Sequence, residues 1–182
     1  MKVEAEAARV IAFWFKELSQ QQHWQKSADL DRRIADQFGD LRQQVLDAGA
    51  DGWRDSPDAL LAAILLLDQF SRNIHRGTAR AFEGDALARE LAILSLDKGW
   101  THAVPDAHRF FLLMPLEHSE ALEDQERAVA EFALLGDPTG IKFSRAHHDQ
   151  IVRFGRFPGR NTALGRTSTP EEQAALDRGE AF

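Results

Sequence analysis

Hydrophobic residues make up 43% of the 182-residue chain and charged ones 28%, which is ordinary for one soluble globular domain spanning 1–182. The absence of cysteine excludes a disulfide framework and a thiolate metal site, and it fits a reducing, cytoplasmic setting. A net charge of −7 argues against a general nucleic-acid binder, and no apolar run approaches the roughly 20 residues that span a bilayer, so neither nucleic acid nor membrane is expected as a partner.

The N-terminus sets acids before a short apolar run and lacks the basic region and cleavage site of a signal peptide. Val3, Ala7, Val10, Ile11, Trp14, Phe15 and Leu18 recur at helical spacing and predict an amphipathic first helix whose aromatics enter the core. A polar link through Gln20, Gln21, Gln22 and His23 ends at Trp24. Leu30, Ile34, Phe38, Leu41 and Val45 line one face of a second helix from about Ser27 to Ala48, and Gly49, Gly52, Ser56 and Pro57 mark a loop after it.

The stretch from Pro57 to Gly77, PDALLAAILLLDQFSRNIHRG, is the centre of the chain. Ser56 is placed to cap its helix, with Pro57 at the first position and Gly77 as the stop. From Ala59 to Leu67 it is apolar on every side, as a helix enclosed by others must be. The line Leu61, Leu65, Asp68, Arg72 then carries a core-facing stripe into an i, i+4 ion pair. That pair is either a structural lock or the floor of a polar pocket.

Further on, Ala86 to Leu96 reads as a helix with Gly99 beyond its end, and Pro105 opens a short helical segment. Pro115 precedes what reads as a long helix closed by Gly136, and Ile141 to Phe154 as the last long one. Gly and Pro break the segment FGRFPGRNTALGR, and Thr169, Pro170 and Glu172 spell a capping box for a short C-terminal helix. No strand pattern is present. The expected fold is all-α, an array of roughly eight helices.

The polar residues fall into three groups. In the helix after Pro115, the stripe His118, Leu122, Gln125, Val129, Phe132 turns a histidine inward, with Glu117, Glu120 and Asp124 close by, and Glu117 is the preferred partner. In the last long helix, Phe143, His147, Ile151 and Phe154 share a line, which points His147 inward and leaves His148 and Asp149 outside it. Between Gln150 and Pro170 there is neither acid nor lysine, yet Arg153, Arg156, Arg160 and Arg166 are present. Guanidinium forks grip carboxylate or phosphate in bidentate fashion, so these arginines are either an anion site or a lock that pins the tail to acids such as Asp68, Glu117 and Asp124.

The stretches LLLDQFSRNIHRGTARAF, MPLEHSEALEDQE and HHDQIVRFGRFPGRNTALGR, with STPEE after them, together resemble the bacterial domain-of-unknown-function family numbered 924. The resemblance runs from AFWF near the start to the C-terminal helix. It implies a tetratricopeptide-like fold of stacked antiparallel helix pairs, although no 34-residue repeat is visible in the letters. Its pattern falls on Asp68, Gln69, Arg72, Asn73, His118, Glu120, Asp124, Gln125, His147, Arg153, Gly155, Arg156, Phe157, Pro158, Arg160 and Asn161. Gly159 departs from that pattern and is not counted as a site position. The resemblance implies a fold and a site, and no chemistry.

Three functions compete. In the leading one a groove binds a small carboxylate or phosphate ligand through Arg72, Asn73, Arg153, Arg156, Arg160 and Asn161, with Asp68, Glu117, His118 and His147 as acid and base groups if the protein is an enzyme. In the second, helix pairs clamp an acidic or C-terminal peptide. The third is a divalent-metal hydrolase using His118, His147, His148, Asp149 and nearby acids. His148-Asp149 resembles the core of the HD phosphohydrolase signature, but the helical line that turns His147 inward leaves His148 out. No H-E-x-x-H, phosphate-binding loop, G-x-S-x-G or dinucleotide fingerprint occurs, and no cofactor or tightly held structural metal is expected.

Overall fold

A computed structural model of the chain describes residues 3–181, which are helical with no strand among them. The first helix, α1 (Val3–Ala12), runs on into a π-helical turn at Phe13–Glu17 and is followed by α2 (Gln20–Trp24) and α3 (Ala28–Asp47). Ser27 caps α3, its hydroxyl accepting from the Leu30 amide. The polar link expected over residues 20–23 is α2 instead. Ser19 and Gln22 close a capping box at its start, which satisfies amides that a helix end otherwise leaves unbonded.

The centre of the fold is α4 (Pro57–Ile64), a second π-helical turn at Leu65–Phe70, and α5 (Ser71–Ile74). Ser56 caps α4 with Pro57 in its first turn. Every residue from Ala59 to Ser71 is buried, because the segment is enclosed by α1, α3, α6 (Asp85–Asp97) and α7 (Asp106–Glu117). Burying each Leu or Ile there stabilises the fold by about 1.5–3 kcal/mol, and this sum holds Asp68 in a place it would not otherwise occupy. Gly77 ends the segment with φ of +78°.

In the second half, α7, α8 (Leu122–Leu135) and α9 (Pro138–Phe154) pack each on the next. Two boundaries differ from expectation. Pro115 lies inside α7 rather than ahead of a new helix, and the break comes later, between His118 and Ala121. Proline has no N–H for the Phe111 carbonyl, but Phe111 to Glu117 are all buried, and that packing outweighs one missing bond. The stripe from His118 to Phe132 therefore crosses a helix break, and Leu122 is exposed. The other difference is α9, which starts at Pro138 because the Asp137 carboxylate accepts from the Gly140 amide at 2.7 Å.

After Gly155 (φ +70°), the chain makes a 3₁₀ turn at Pro158–Arg160 and closes with α10 (Pro170–Asp177), whose start carries the Thr169/Glu172 capping box. One apolar core of buried residues from Ala7 to Phe132 joins α1, α3, α4, α6, α7 and α8. No helix among the described residues is long and apolar enough to cross a membrane.

Candidate functional site

Asp68 sits in the π turn, only 1% exposed, and the whole polar cluster is built on it. A π turn inserts one extra residue per turn, and here it aims an ionisable side chain into the middle of an apolar segment. Asp68 Oδ1 lies 2.7 Å from His118 Nδ1 and 2.9 Å from the Arg72 guanidinium, and Oδ2 accepts from the Gln69 amide at 2.6 Å. Burial pushes the Asp68 carboxyl up, but Arg72 and His118 outweigh it and hold the group well below the usual carboxylate range. An ionised carboxylate can only accept, so the proton of the His118 ring is on Nδ1.

Arg72 reaches back to Asp68 and forward to Asp85, the first residue of α6, with bidentate bonds of 2.9 and 3.0 Å to Asp85. Arg160, from the 3₁₀ turn of the tail, joins the same Asp85 carboxylate at 3.2 Å and donates to the His118 carbonyl at 2.8 Å. Its guanidinium is held between two aromatic rings, with centroids of Phe157 and Phe82 at 4.5 and 4.9 Å. Burial, then repulsion from Arg72, brings the Arg160 pKa down to about 10.

Glu117 and His147 complete the cluster. Glu117, the last residue of α7, is 2% exposed, and no described residue makes a hydrogen bond to its Oε2. Burial, reinforced by the Asp68 charge, pushes its pKa up to about 8. His147 approaches from α9; its Nδ1 donates to the Phe143 carbonyl at 2.8 Å and lies 3.8 Å from Glu117 Oε1. The His118 and His147 rings are 5.8 Å apart, and Phe157 covers His147 edge-on at 5.4 Å. Burial lowers both histidines, His147 to about 3.

Of the residues singled out in the sequence, Asp68, Arg72, Glu117, His118, His147 and Arg160 thus share one cluster. The other four ligand-binding candidates lie elsewhere. Asn73 donates to Asp31 at 2.8 Å, beside Arg76. Arg153 is exposed and pairs with Glu171 and Glu180. Arg156 forks onto Glu172 at 2.6 and 2.8 Å, and buried Asn161 bonds Ser168 and Glu172. The reason is that α10 folds its acids back onto the acid-free run, so Arg153, Arg156 and Asn161 meet carboxylates that come just after it in sequence. Arg166 instead forks onto Glu120, on the helical body, at 2.8 and 3.0 Å. Asp124, one of the acids to which the lock would pin the tail, is instead buried and paired with Arg89 of α6. His148 faces Asp149 at 3.4 Å, outside the cluster.

Two members of the site escaped the sequence reading. Asp85 carries only the common signature of an acid in a helix's first turn, and Phe82 only that of an aromatic in a short link. The cluster opens to solvent through the partly exposed Arg72, Asp85, His147 and Arg160. A cavity of about 570 Å³ lies between α2, α7 and the start of α9, lined by Phe15, His23, Trp24, Phe110 and Phe111, and includes none of these charged residues.

The family described as "Bacterial protein of unknown function (DUF924)" matches residues 10–180. A solved structure of a protein of unknown function from Agrobacterium tumefaciens is similar to 98% of this chain and 100% of its own, at 36% sequence identity and a TM-score of 0.92. No curated protein matches the sequence. A match over nearly the whole length, in both sequence and fold, means that the chain belongs to the DUF924 family.

Proposed function

We propose that the cluster around Asp68 is a ligand site for a small carboxylate or phosphate, which docks at Arg72 and Arg160 with Glu117, His118 and His147 behind it as the reactive groups. The observation that carries this reading is that two guanidiniums share one carboxylate, Asp85, at the open side of the cluster. Their mutual repulsion helps depress Arg160, and a bound anion would relieve it. Phe82 and Phe157 cover the Arg160 guanidinium, which suits a small ligand better than a peptide laid across a face. The tetratricopeptide-like pairing is part of the same proposal, supported by the consecutive packing of α7, α8 and α9. A cytoplasmic setting agrees with the lack of cysteine.

The test is thermal melting in the presence of inorganic phosphate and a panel of small mono- and dicarboxylates. A ligand that binds only the folded state stabilises it by about 2.7 kcal/mol at a hundredfold excess over Kd, a readable shift. Arg160→Lys keeps the charge but cannot reach Asp85 and the His118 carbonyl in the same fork, and it should largely lose the shift. Arg153→Lys, in the exposed pair with Glu171, should keep it. If no anion in the panel raises the parent's melting temperature, the reading fails.

A further inference from the structure

Glu117, His118 and His147 each offer one ligand atom, and these atoms all lie within 4.8 Å of one another. Glu117 and His118 are consecutive at the end of α7, and His147 comes across from α9. We propose that these three residues form a binding site for one divalent transition-metal ion of the zinc, cobalt or manganese class. The inference takes the same cluster as functional, but it does not require the anion of the preceding reading to bind.

Donor chemistry comes first. Two imidazoles and one carboxylate are a recurrent set for a zinc ion that keeps a position open for water or substrate, and the same set suits other first-row divalent ions. A tetrahedral ion with ligands at about 2.0–2.2 Å would hold its donors some 3.4 Å apart, so binding requires donors that now lie within 4.8 Å of one another to draw together.

The second argument is how the histidines are held. Ligating imidazoles commonly give their other ring nitrogen to a carboxylate or a backbone carbonyl, which fixes ring and tautomer. His118 Nδ1 is engaged by Asp68 at 2.7 Å and His147 Nδ1 by the Phe143 carbonyl at 2.8 Å. With each Nδ1 engaged in this way, ligation of a metal falls to Nε2 of each ring. One histidine thus has a buried carboxylate behind it and the other a helix carbonyl.

The third and independent observation is Glu117. Its carboxyl is almost completely buried, yet Oε2 has no hydrogen-bond donor among the described residues. Leaving such a group unsatisfied costs about 1–3 kcal/mol, and a core position needing only bulk would be filled as well by Leu. A metal ion supplies the missing partner. The histidine-aspartate pair at His148 and Asp149 plays no part: His148 turns to Asp149, and Asp149 is exposed. The ligand set therefore differs from the one that the HD resemblance suggested.

The experiment is calorimetric titration of Zn²⁺, Co²⁺ and Mn²⁺ into full-length protein stripped with a chelator and freed of any polyhistidine tag. The expected result is uptake of one ion per chain for at least one of the three, with visible absorption from bound Co²⁺ characteristic of four or five nitrogen and oxygen ligands. Glu117→Gln and His147→Gln should each lower the affinity by about tenfold or more, while metal-free protein keeps its far-UV circular dichroism. His148→Ala should bind as the parent does. If Glu117→Gln does not fold, His147→Gln, on the more exposed side of the cluster, carries the same test. Failure of all three ions to bind at one per chain, or unchanged affinity when the folded variants lose a ligand, overturns the proposal.

Discussion

Asp68 is ionised where ionisation is least favourable, and what permits it is the company of Arg72, His118 and Gln69 within 3 Å. Removing one member of a buried ion pair leaves the other charge uncompensated, at about 3–5 kcal/mol. Asp68→Asn keeps the shape and removes the charge; Arg72 retains Asp85, so the low end, about 3 kcal/mol, is expected in urea denaturation. A loss under about 1 kcal/mol would mean that Arg72 is fully served by Asp85 and that Asp68 is not its anchor. This pair was legible because an i, i+4 spacing ended a wholly apolar run, and such a run has no solvent-facing side to which a charge can escape. His118 and His147 were legible as inward positions for the same kind of reason. Asp85 was not, because an acid opening a helix satisfies the helix dipole in any protein, and its second role depends on a tail 75 residues away.

At the scale of elements, position depends on features that letters carry only in part. The π turn at Leu65–Phe70 cannot be read from the letters, since the run that leads into it is apolar on all faces and an inserted residue there changes no pattern. Pro115 misled for the opposite reason: proline marks a helix boundary strongly, and only the burial of its neighbours overrides it. Gly84 shows how close the elements come. Its φ of −87° suits any residue, so backbone freedom is not what it provides. The requirement is space, because a Cβ there would sit 2.6 Å from the Leu67 carbonyl oxygen, one residue before Asp68. Gly84→Ala must push the start of α6 away from the π turn and take Asp85 with it. Overpacking of this kind costs about 1–3 kcal/mol, and chemical denaturation should find that loss. A neutral Gly84→Ala would show that α6 can slide without strain, and that Asp85 is not held at a fixed distance from Arg72.

For the whole molecule, the question is how a tail with little apolar surface stays on a helical body. The acid-free run from Gln150 to Pro170 signalled arginines in need of partners, and the partners come from Glu120 on the body and from α10 itself. Glu120 accepts both the Arg166 fork and the Phe157 amide, while Glu172 accepts the Arg156 fork, the Thr169 amide and Asn161. These bonds carry Phe157 onto His147 and Arg160 onto Asp85, so the cluster is complete only when the tail is docked. Glu172 makes this testable by pH. The Arg156 fork holds its carboxyl at about 2, against an ordinary value of 4.5. A depressed carboxylate contributes stability that is fully present above its unfolded pKa and fades as pH falls through its folded one. The melting temperature of the parent should therefore exceed that of Glu172→Gln by a constant margin above about pH 5, and the margin should shrink toward zero as pH approaches about 2. Far-UV circular dichroism melts of both proteins across that range measure it directly. A margin independent of pH would mean that Glu172 acts through its shape and its cap on α10, and that charge does not hold the tail.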